Sequence, residues 1–302
     1  MTTTQATSAV PAMPDKPAAS DATAARRSRP RTAHRVRVAA GVVVCALFLL
    51  PLGWMLLTSV KLQRDIFTTP PTFLFVPTGT QYAEAMTSAG LAGKMLNTAL
   101  VAGGSSVLSL AAGAMAGYAL ARLRIRGAGL IGVLILASRG VPPIALAVPM
   151  FLVARNLGLT DTHATLILAY CSFIIPYVMW LSRGYFLALP KELEESAMLD
   201  GCSRMGTFFR VILPISIPGL LATFIFSIVL AWEELLFAMV LTSRHAVTVP
   251  VAIAGMVGDT DKGANWGALA AAGMITVIPV VVVALLVQKW LIRGLADGAT
   301  KG

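Results

Sequence analysis

The stretch Pro190-Lys-Glu-Leu-Glu-Glu-Ser-Ala-Met-Leu-Asp200-Gly-Cys-Ser-Arg-Met-Gly-Thr-Phe-Phe-Arg210-Val-Ile-Leu-Pro-Ile-Ser-Ile-Pro218 is the one long polar-bearing segment between two strongly apolar ones. Pro190 suits the first turn of a helix, where its missing N–H costs nothing. Glu192, Glu194 and Glu195 fall where the positive end of the helix dipole favours acids. A short helix is therefore expected over Lys191 to Asp200. Gly201 supplies a helix-ending residue tolerant of φ > 0, Ser203 can cap a second helix, and Pro214 marks the approach to the next apolar run. The unit reads as helix, turn, helix, lying outside a bilayer. Leu193, Ala197 and Met198 recur at helical spacing, so one face is expected to enter a groove on a partner while the acids pair with cations around it. The competing reading is an amphipathic connector on lipid headgroups, which three acids in one turn disfavour at an anionic leaflet.

Working outward, 57% of the 302 residues are hydrophobic and 13% charged, with a mean hydropathy of +0.78. Such a composition excludes an ordinary soluble domain and indicates a polytopic membrane protein. About 20 apolar residues are needed to cross a hydrocarbon core. Six stretches qualify: Val38 to Val60, Leu96 to Leu120, Leu130 to Ala154, Ala164 to Leu187, Ile215 to Leu241 and Leu269 to Leu291. Runs this long without strict alternation exclude a barrel, so the fold class is an all-α membrane bundle of six transmembrane helices. Gly113-Ala-Met-Ala-Gly117 fits the small-xxx-small pattern of close helix contact.

Basic residues orient the bundle. Arg26, Arg27, Arg29, Arg31, Arg35 and Arg37 precede span one, Arg122, Arg124 and Arg126 follow span two, Lys191, Arg204 and Arg210 follow span four, and Lys289, Arg293 and Lys301 close the chain. The other side carries Lys61, Arg64, Lys94, Arg155, Arg244 and Lys262, interleaved with Asp65, Glu84, Asp161, Asp259 and Asp261. Both termini and the Pro190 stretch are expected in the cytoplasm, in a multi-pass protein of a bacterial plasma (inner) membrane. This bias and the basic tail account for the net charge of +10 without a nucleic-acid partner.

Three parts are expected: 1–37, a disordered basic tail too poor in large apolar groups to bury a core; 38–90, the first span and an extracytoplasmic loop; and 91–302, a core with five spans and the loop at 190–214. Span one exceeds a signal-peptide apolar region and lacks an Ala-x-Ala site before Thr58 and Ser59, so it reads as a retained anchor. Cys45 and Cys171 lie inside spans and Cys202 on the cytoplasmic side, a placement that implies neither disulfide nor metal cluster. His34, His163 and His245 are scattered over tail and loops and receive no role.

Glu195-Ser-Ala-Met-Leu-Asp200-Gly201, followed by Ile212-Leu-Pro214 and Pro218, resembles the EAA loop of permease subunits in binding-protein-dependent ABC importers. Ser196 stands for the motif's first Ala, small for small. The resemblance implies a type-1 importer bundle in which this loop is a coupling helix docking into a cleft on a cytoplasmic ATPase. Its acid and glycine correspond to Glu195 and Gly201, and Glu194, Ala197 and Asp200 complete the expected coupling set. Asn97-Thr-Ala-Leu-Val, Gly117-Tyr-Ala-Leu-Ala-Arg122-Leu-Arg, Arg139-Gly-Val-Pro-Pro143, Leu157-Gly-Leu-Thr-Asp161-Thr and Gly298-Ala-Thr-Lys-Gly302 are similar to the carbohydrate branch, the maltose-type second permease. That branch usually shows Trp-Asn-(Glu/Asp) in span five, where this chain reads Trp232-Glu233-Glu234.

The sequence contains no Gly-x-x-x-x-Gly-Lys-(Ser/Thr) phosphate loop, so the chain is expected to be no enzyme and to hold no cofactor of its own. ATP and Mg would be bound by two ATPase subunits. The resemblance further implies a homologous second permease, an extracytoplasmic solute-binding protein and a membrane-lipid surround. The expected cargo is a sugar, oligosaccharide or polyol. The alternatives are a permease for a non-carbohydrate solute, since the loop reports coupling and not cargo, and an intramembrane enzyme using Glu233 and Glu234. Charge inside a span costs several kcal/mol unless paired or hydrated. Arg139 in span three, and Glu233 and Glu234 beside Trp232 in span five, are thus candidates for the translocation pathway. They could equally form a structural ion pair, or Arg139 could snorkel to an interface. Trp232 is a sugar-stacking or a packing residue.

Overall fold

The computed structural model describes residues 31–87, 90–258 and 265–299. The expected disorder of the tail before Arg31, and the placement of Asp259, Asp261, Lys262 and Lys301, lie outside the described residues. Among the described residues thirteen α-helices follow one another: α1 (Arg31–Ser59), α2 (Gln63–Ile66), α3 (Thr80–Thr87), α4 (Leu91–Arg122), α5 (Ala128–Ala137), α6 (Pro143–Asn156), α7 (His163–Ala188), α8 (Glu192–Leu199), α9 (Arg204–Thr207), α10 (Leu213–Trp232), α11 (Leu236–Leu241), α12 (Val249–Gly258) and α13 (Trp266–Ala299). α1 begins inside the segment assigned to the tail. The chain divides into two units, Met1–Pro51 and Leu52–Gly302. In the first, the described side chains of α1 are exposed, as on Leu47 and Phe48, which suits a lipid-facing helix.

Among the described residues five helices are long and apolar enough to cross a membrane, and a bent pair, counted as one span, brings the number to six. That pair corrects the expectation of one continuous helix over Leu130 to Ala154. α5 and α6 meet at 85° around a 3₁₀ turn, Ser138–Gly140. The cause is local: a residue before proline is pushed out of the helical region, and Val141 sits at ψ 126° ahead of Pro142. Pro143 then opens α6 at a position where a missing N–H is harmless. A second correction concerns Ile215 to Leu241. The helix ends at Trp232, and α11 starts afresh at Leu236.

α4 and α7 form the spine of the second unit. A Cβ on Gly113 would lie 2.7 Å from Val178 Cγ1, and one on Gly117 would lie 2.8 Å from the Met179 carbonyl oxygen, so the small-xxx-small motif does set the approach of these helices. Two buried clusters fill the space around them. One joins Val101, Leu166, Tyr170, Ile174, Trp232 and Phe237; the other joins Tyr118, Phe186, Phe208 and Ile212, with Leu193 packed against it. α9 runs into α10 through a π-helical turn, Phe208–Ile212.

Candidate functional site

At one end of the bundle, α8 is held from the inside. Arg122, in the last turn of α4, places Nε 2.9 Å from Glu194 Oε1, with side-chain exposures of 4% and 13%. The approach lies off the N–H axis, so the contact is an ion pair and not a linear hydrogen bond. Arg122 Nη2 also donates to the Leu189 carbonyl at 2.6 Å, fastening both the helix and the chain leading into it.

The helix ends as its sequence requires. Gly201 adopts φ 86°, and the N–H groups of Gly201 and Cys202 donate to Met198 and Ala197 carbonyls at 3.1 and 3.0 Å. These bonds satisfy carbonyls that the helix end would leave orphaned. Ser203 Oγ then accepts from Gly206 N–H at 3.1 Å and caps α9.

The docking face differs from the expected one. Leu193 and Ala197 turn inward, Ala197 being buried and Leu193 packed on the second cluster. Glu194 turns inward with them, committed to Arg122. The outward surface carries Glu195, Met198 and Asp200, with Leu199 89% exposed. An i, i+4 face built of Leu193 and Ala197 is therefore what anchors α8 to its own chain. Between α8, α9 and the end of α4 lies a cavity of about 300 Å³ that includes Arg122, Arg124, Glu194 and Glu195 in its lining.

The second set of expected residues gathers only in part. Arg139, in the 3₁₀ turn, lies with its guanidinium 5.4 Å from the Tyr177 ring centroid. It shares a cavity of about 150 Å³ with Glu234, Ser138, Ser172, Phe173 and Phe237. Tyr177 and Ser172 stand near the middle of the 26-residue α7, which puts this cavity at mid-depth of the bundle. The expected ion pair is absent: among the described residues Arg139 has no acid within 4 Å. Glu234 instead caps α11, its oxygens accepting from the N–H groups of Leu236 and Phe237 at 3.0 to 3.1 Å and from Ala238 at 3.4 Å. Glu233 is exposed and does not line the cavity, so the two adjacent acids do not act on one volume. Trp232 is 8% exposed within the first core cluster, a packing residue and not a stacking platform.

A third constellation was not anticipated. At the opposite end from α8, Asp161 adopts φ 58°, and its carboxylate accepts from the backbone N–H groups of Ser243, Arg244, His245 and Ala246 at 2.9 to 3.1 Å. Burial opposes ionisation of Asp161, but the N–H groups of His245, Ser243, Ala246 and Arg244 outweigh it and hold the carboxyl well below the usual range. Asn97 Nδ2 donates to the His245 and Val247 carbonyls at 2.8 and 3.0 Å, and its Oδ1 lies 2.8 Å from His163 Nε2. His163, given no role from sequence, thus orients the amide that holds the 243–249 segment. The signal was present as polar residues at the ends of two apolar runs, Asn97-Thr98 and Asp161-Thr162-His163, although their pairing lies in three dimensions. Arg122 stands in the sequence as one positive charge among several and as a member of the Gly117-to-Arg124 motif, neither of which discloses its pairing with Glu194.

Residues 109–297 match the family model described as binding-protein-dependent transport system inner membrane component. A probable ABC transporter permease protein, y4oR, of Sinorhizobium fredii is 36% identical, over 86% of this chain and 92% of its own length. The trehalose/maltose transport system permease protein MalG of Thermococcus litoralis is 33% identical, over 91% and 99%. A chain from the crystal structure of a bacterial ABC transporter that imports the acidic polysaccharide alginate superposes with a TM-score of 0.65 at 22% identity, covering 86% of this chain and 96% of that one, a likeness of fold. Six spans including a bent one, a short helix carried outside them, and relatives matched over almost their whole lengths lead to one assignment: the chain is an integral membrane permease of the binding-protein-dependent transport system inner membrane component family.

Proposed function

We propose that this permease imports a carbohydrate or polyol, with α8 as the helix through which ATP hydrolysis on separate subunits is felt. The observation that carries the reading is the division of α8 into two faces. Its inner face is fixed to α4 by the Arg122–Glu194 pair, and its outer face leaves Glu195, Met198, Leu199 and Asp200 available. A helix both exposed and rigidly attached passes a push from a partner into the bundle, where a loose one would absorb it. On this reading α8 and both termini face the cytoplasm. The chain pairs with a homologous second permease, docks two ATPase subunits that bind ATP and Mg, and receives solute from an extracytoplasmic binding protein. The carbohydrate cargo is supported by relatives named for trehalose/maltose, trehalose and diacetylchitobiose.

The experiment is reconstitution of the chain with its second permease, ATPases and binding protein in proteoliposomes. Saccharide uptake should depend on ATP and on the binding protein, and Gly201→Asp should abolish uptake while the complex still assembles. Parent-level uptake by Gly201→Asp would remove α8 from coupling. Uptake of amino acids or ions in place of saccharides would replace the cargo.

A further inference from the structure

Between α1 and α3, at the end of the bundle opposite α8, the chain makes a loop closed on itself, the Thr78 N–H donating to the Val60 carbonyl at 2.9 Å. From Phe67 to Thr78 it reads Phe67-Thr-Thr-Pro-Pro-Thr-Phe73-Leu-Phe-Val-Pro-Thr78, without one charged residue. Its polar groups turn inward. Lys61, 4% exposed, donates from Nζ to the Thr72 carbonyl at 2.7 Å and lies 5.7 and 5.1 Å from the ring centroids of Trp54 and Phe75. The Thr72 N–H donates to Thr68 Oγ1 and its Oγ1 to the Asp65 carbonyl, both at 3.3 Å, while Gln81 Nε2 donates to the Lys61 carbonyl at 3.2 Å. Among the described residues Lys61 has no acid within 4 Å, so the carbonyl and the two ring faces are what offset the burial of its charge. The loop thus gathers its polar groups around a buried lysine and turns Phe73, Leu74 and Val76 outward, Leu74 by 97%.

Two tryptophans give the level at which this apolar ridge stands. Trp54, near the end of α1, meets Phe73 edge-on at 6.4 Å and 77°. Trp266, the first residue of α13, meets Phe67 edge-on at 6.1 Å and 84°. Both helices are membrane spans and both indoles remain partly exposed; tryptophan at the end of a span sits among lipid headgroups. The loop is flanked by both, at headgroup depth. A surface for transient docking of a soluble protein is about as polar as the rest of a protein, which this uncharged ridge is not. We propose that Phe73, Leu74 and Val76 insert into the lipid leaflet at this end of the bundle, with Lys61 as the strut that holds them outward. The orientation proposed above makes this the extracytoplasmic leaflet, and the inference rests on that reading for this point alone. Because the loop touches both Trp54 and Trp266, its insertion pins the exit of α1 and the entry of α13 to one depth.

The test uses the full chain assembled with its second permease and ATPases in phosphatidylcholine–phosphatidylglycerol nanodiscs. In a Cys45→Ala, Cys171→Ala, Cys202→Ala background, Leu74→Cys carries a nitroxide, and Arg64→Cys, whose native side chain is 80% exposed, carries one as the aqueous reference. Collisions with dissolved oxygen are compared with those of a water-soluble nickel chelate. The oxygen-to-nickel ratio at position 74 should exceed that at 64 by about tenfold, because a polar solute is excluded from the acyl region. Lys61→Met, which removes the bond to Thr72, should lower the ratio at 74 severalfold and mobilise the label, with co-purification of the ATPases at the parent level. Equal ratios at 74 and 64 would place the loop in water and overturn the insertion. A label at 74 reached by neither collider would overturn it in favour of cover by the second permease. An unchanged ratio in Lys61→Met would remove the strut. In whole cells a membrane-impermeant maleimide should reach Arg64→Cys from outside; labelling only after the cells are opened would overturn the orientation and the leaflet named here, while the ratio at 74 still decides the lipid contact.

Discussion

Removing Glu194 leaves Arg122, 4% exposed, as a charge with no counter-ion and one remaining partner, the Leu189 carbonyl. Breaking a buried pair from one side costs about 3–5 kcal/mol, because the surviving ion stays desolvated. We take about 3 kcal/mol for Glu194→Leu, since its own carboxylate is 13% exposed and recovers some hydration. Arg122→Met removes in addition the 2.6 Å bond to Leu189, a charge-assisted contact of about 1.5–3 kcal/mol, so it should cost more. The double variant carries no stranded ion. Replacing both members of such a pair by apolar side chains is often neutral or better, so Glu194→Leu with Arg122→Met should cost less than the sum of the singles by about 2 kcal/mol or more. The assay is hydrogen exchange of the α8 amides in nanodiscs, which reads local opening directly. Exchange across residues 193–199 should quicken roughly a hundredfold in Glu194→Leu, following the tenfold per 1.4 kcal/mol conversion, with far less change at α7. Strictly additive single and double effects, or parent-rate exchange in Glu194→Leu, would refute the clamp.

Gly201→Ala should cost about 1–2 kcal/mol from its φ of 86° alone, because a Cβ there meets nothing within 4 Å; Gly201→Asn should cost less, and equal exchange rates at α8 for the two would contradict the left-handed turn. Gly117→Ala should destabilise the bundle by about 1–3 kcal/mol through contact with backbone of α7, whereas Gly103→Ala, open on all sides, should be tolerated; comparison of their unfolding in detergent decides this. Asp161→Asn should cost about 1–3 kcal/mol and speed exchange of the Ser243 to Ala246 amides. Because the folded carboxyl titrates below its ordinary value near 3.9, the Asp161 contribution is complete above that pH and is lost only as pH falls through the lower folded value, so the same amides should stay protected in the parent at pH 5. Glu195→Lys, on the exposed face of α8, should leave α8 exchange at the parent level while weakening ATPase association, measured by co-purification; a loss of α8 protection would place Glu195 in the fold instead.

The membrane class, the six apolar runs and the turn at Gly201 were legible because each depends on local sequence: run length, a dipole-matched first turn, a residue free to take φ > 0. Apolar length alone did not disclose the breaks. Ile215 to Leu241 carries no charge apart from Glu233 and Glu234, and what ends α10 is Glu234 capturing the N–H groups that a continuous helix would have used. The proline pair at 142–143 did announce an interruption, but the 85° turn depends on what α5 and α6 pack against. Helical spacing identified Leu193 and Ala197 as one face and could not say which body that face meets. Arg122 and Glu194, 72 positions apart in the chain, illustrate the general limit, since a charge pair across two elements has no signature until the elements are placed.

The placement of the clamp also constrains how force can travel. α8 is tied to α4, and α4 is locked to α7 where Gly113 and Gly117 admit α7 backbone and side chains directly. Tyr177, under the Arg139 guanidinium, belongs to that same α7. A push on α8 along this route meets no flexible joint, because a close-packed helix pair shifts as a body and not by local yielding. The other route from α8 runs through α9 into α10, whose C-terminal end adjoins Glu234. It crosses the π-helical turn at Phe208–Ile212, an irregularity of the kind at which helices bend and functional sites gather. The Glu234 wall of the Arg139–Glu234 cavity does not depend on that turn alone, because Trp232 and Phe237 on either side of it share one buried cluster with Val101 of α4 and Ile174 of α7, so both walls of the cavity are packed on the same helix pair.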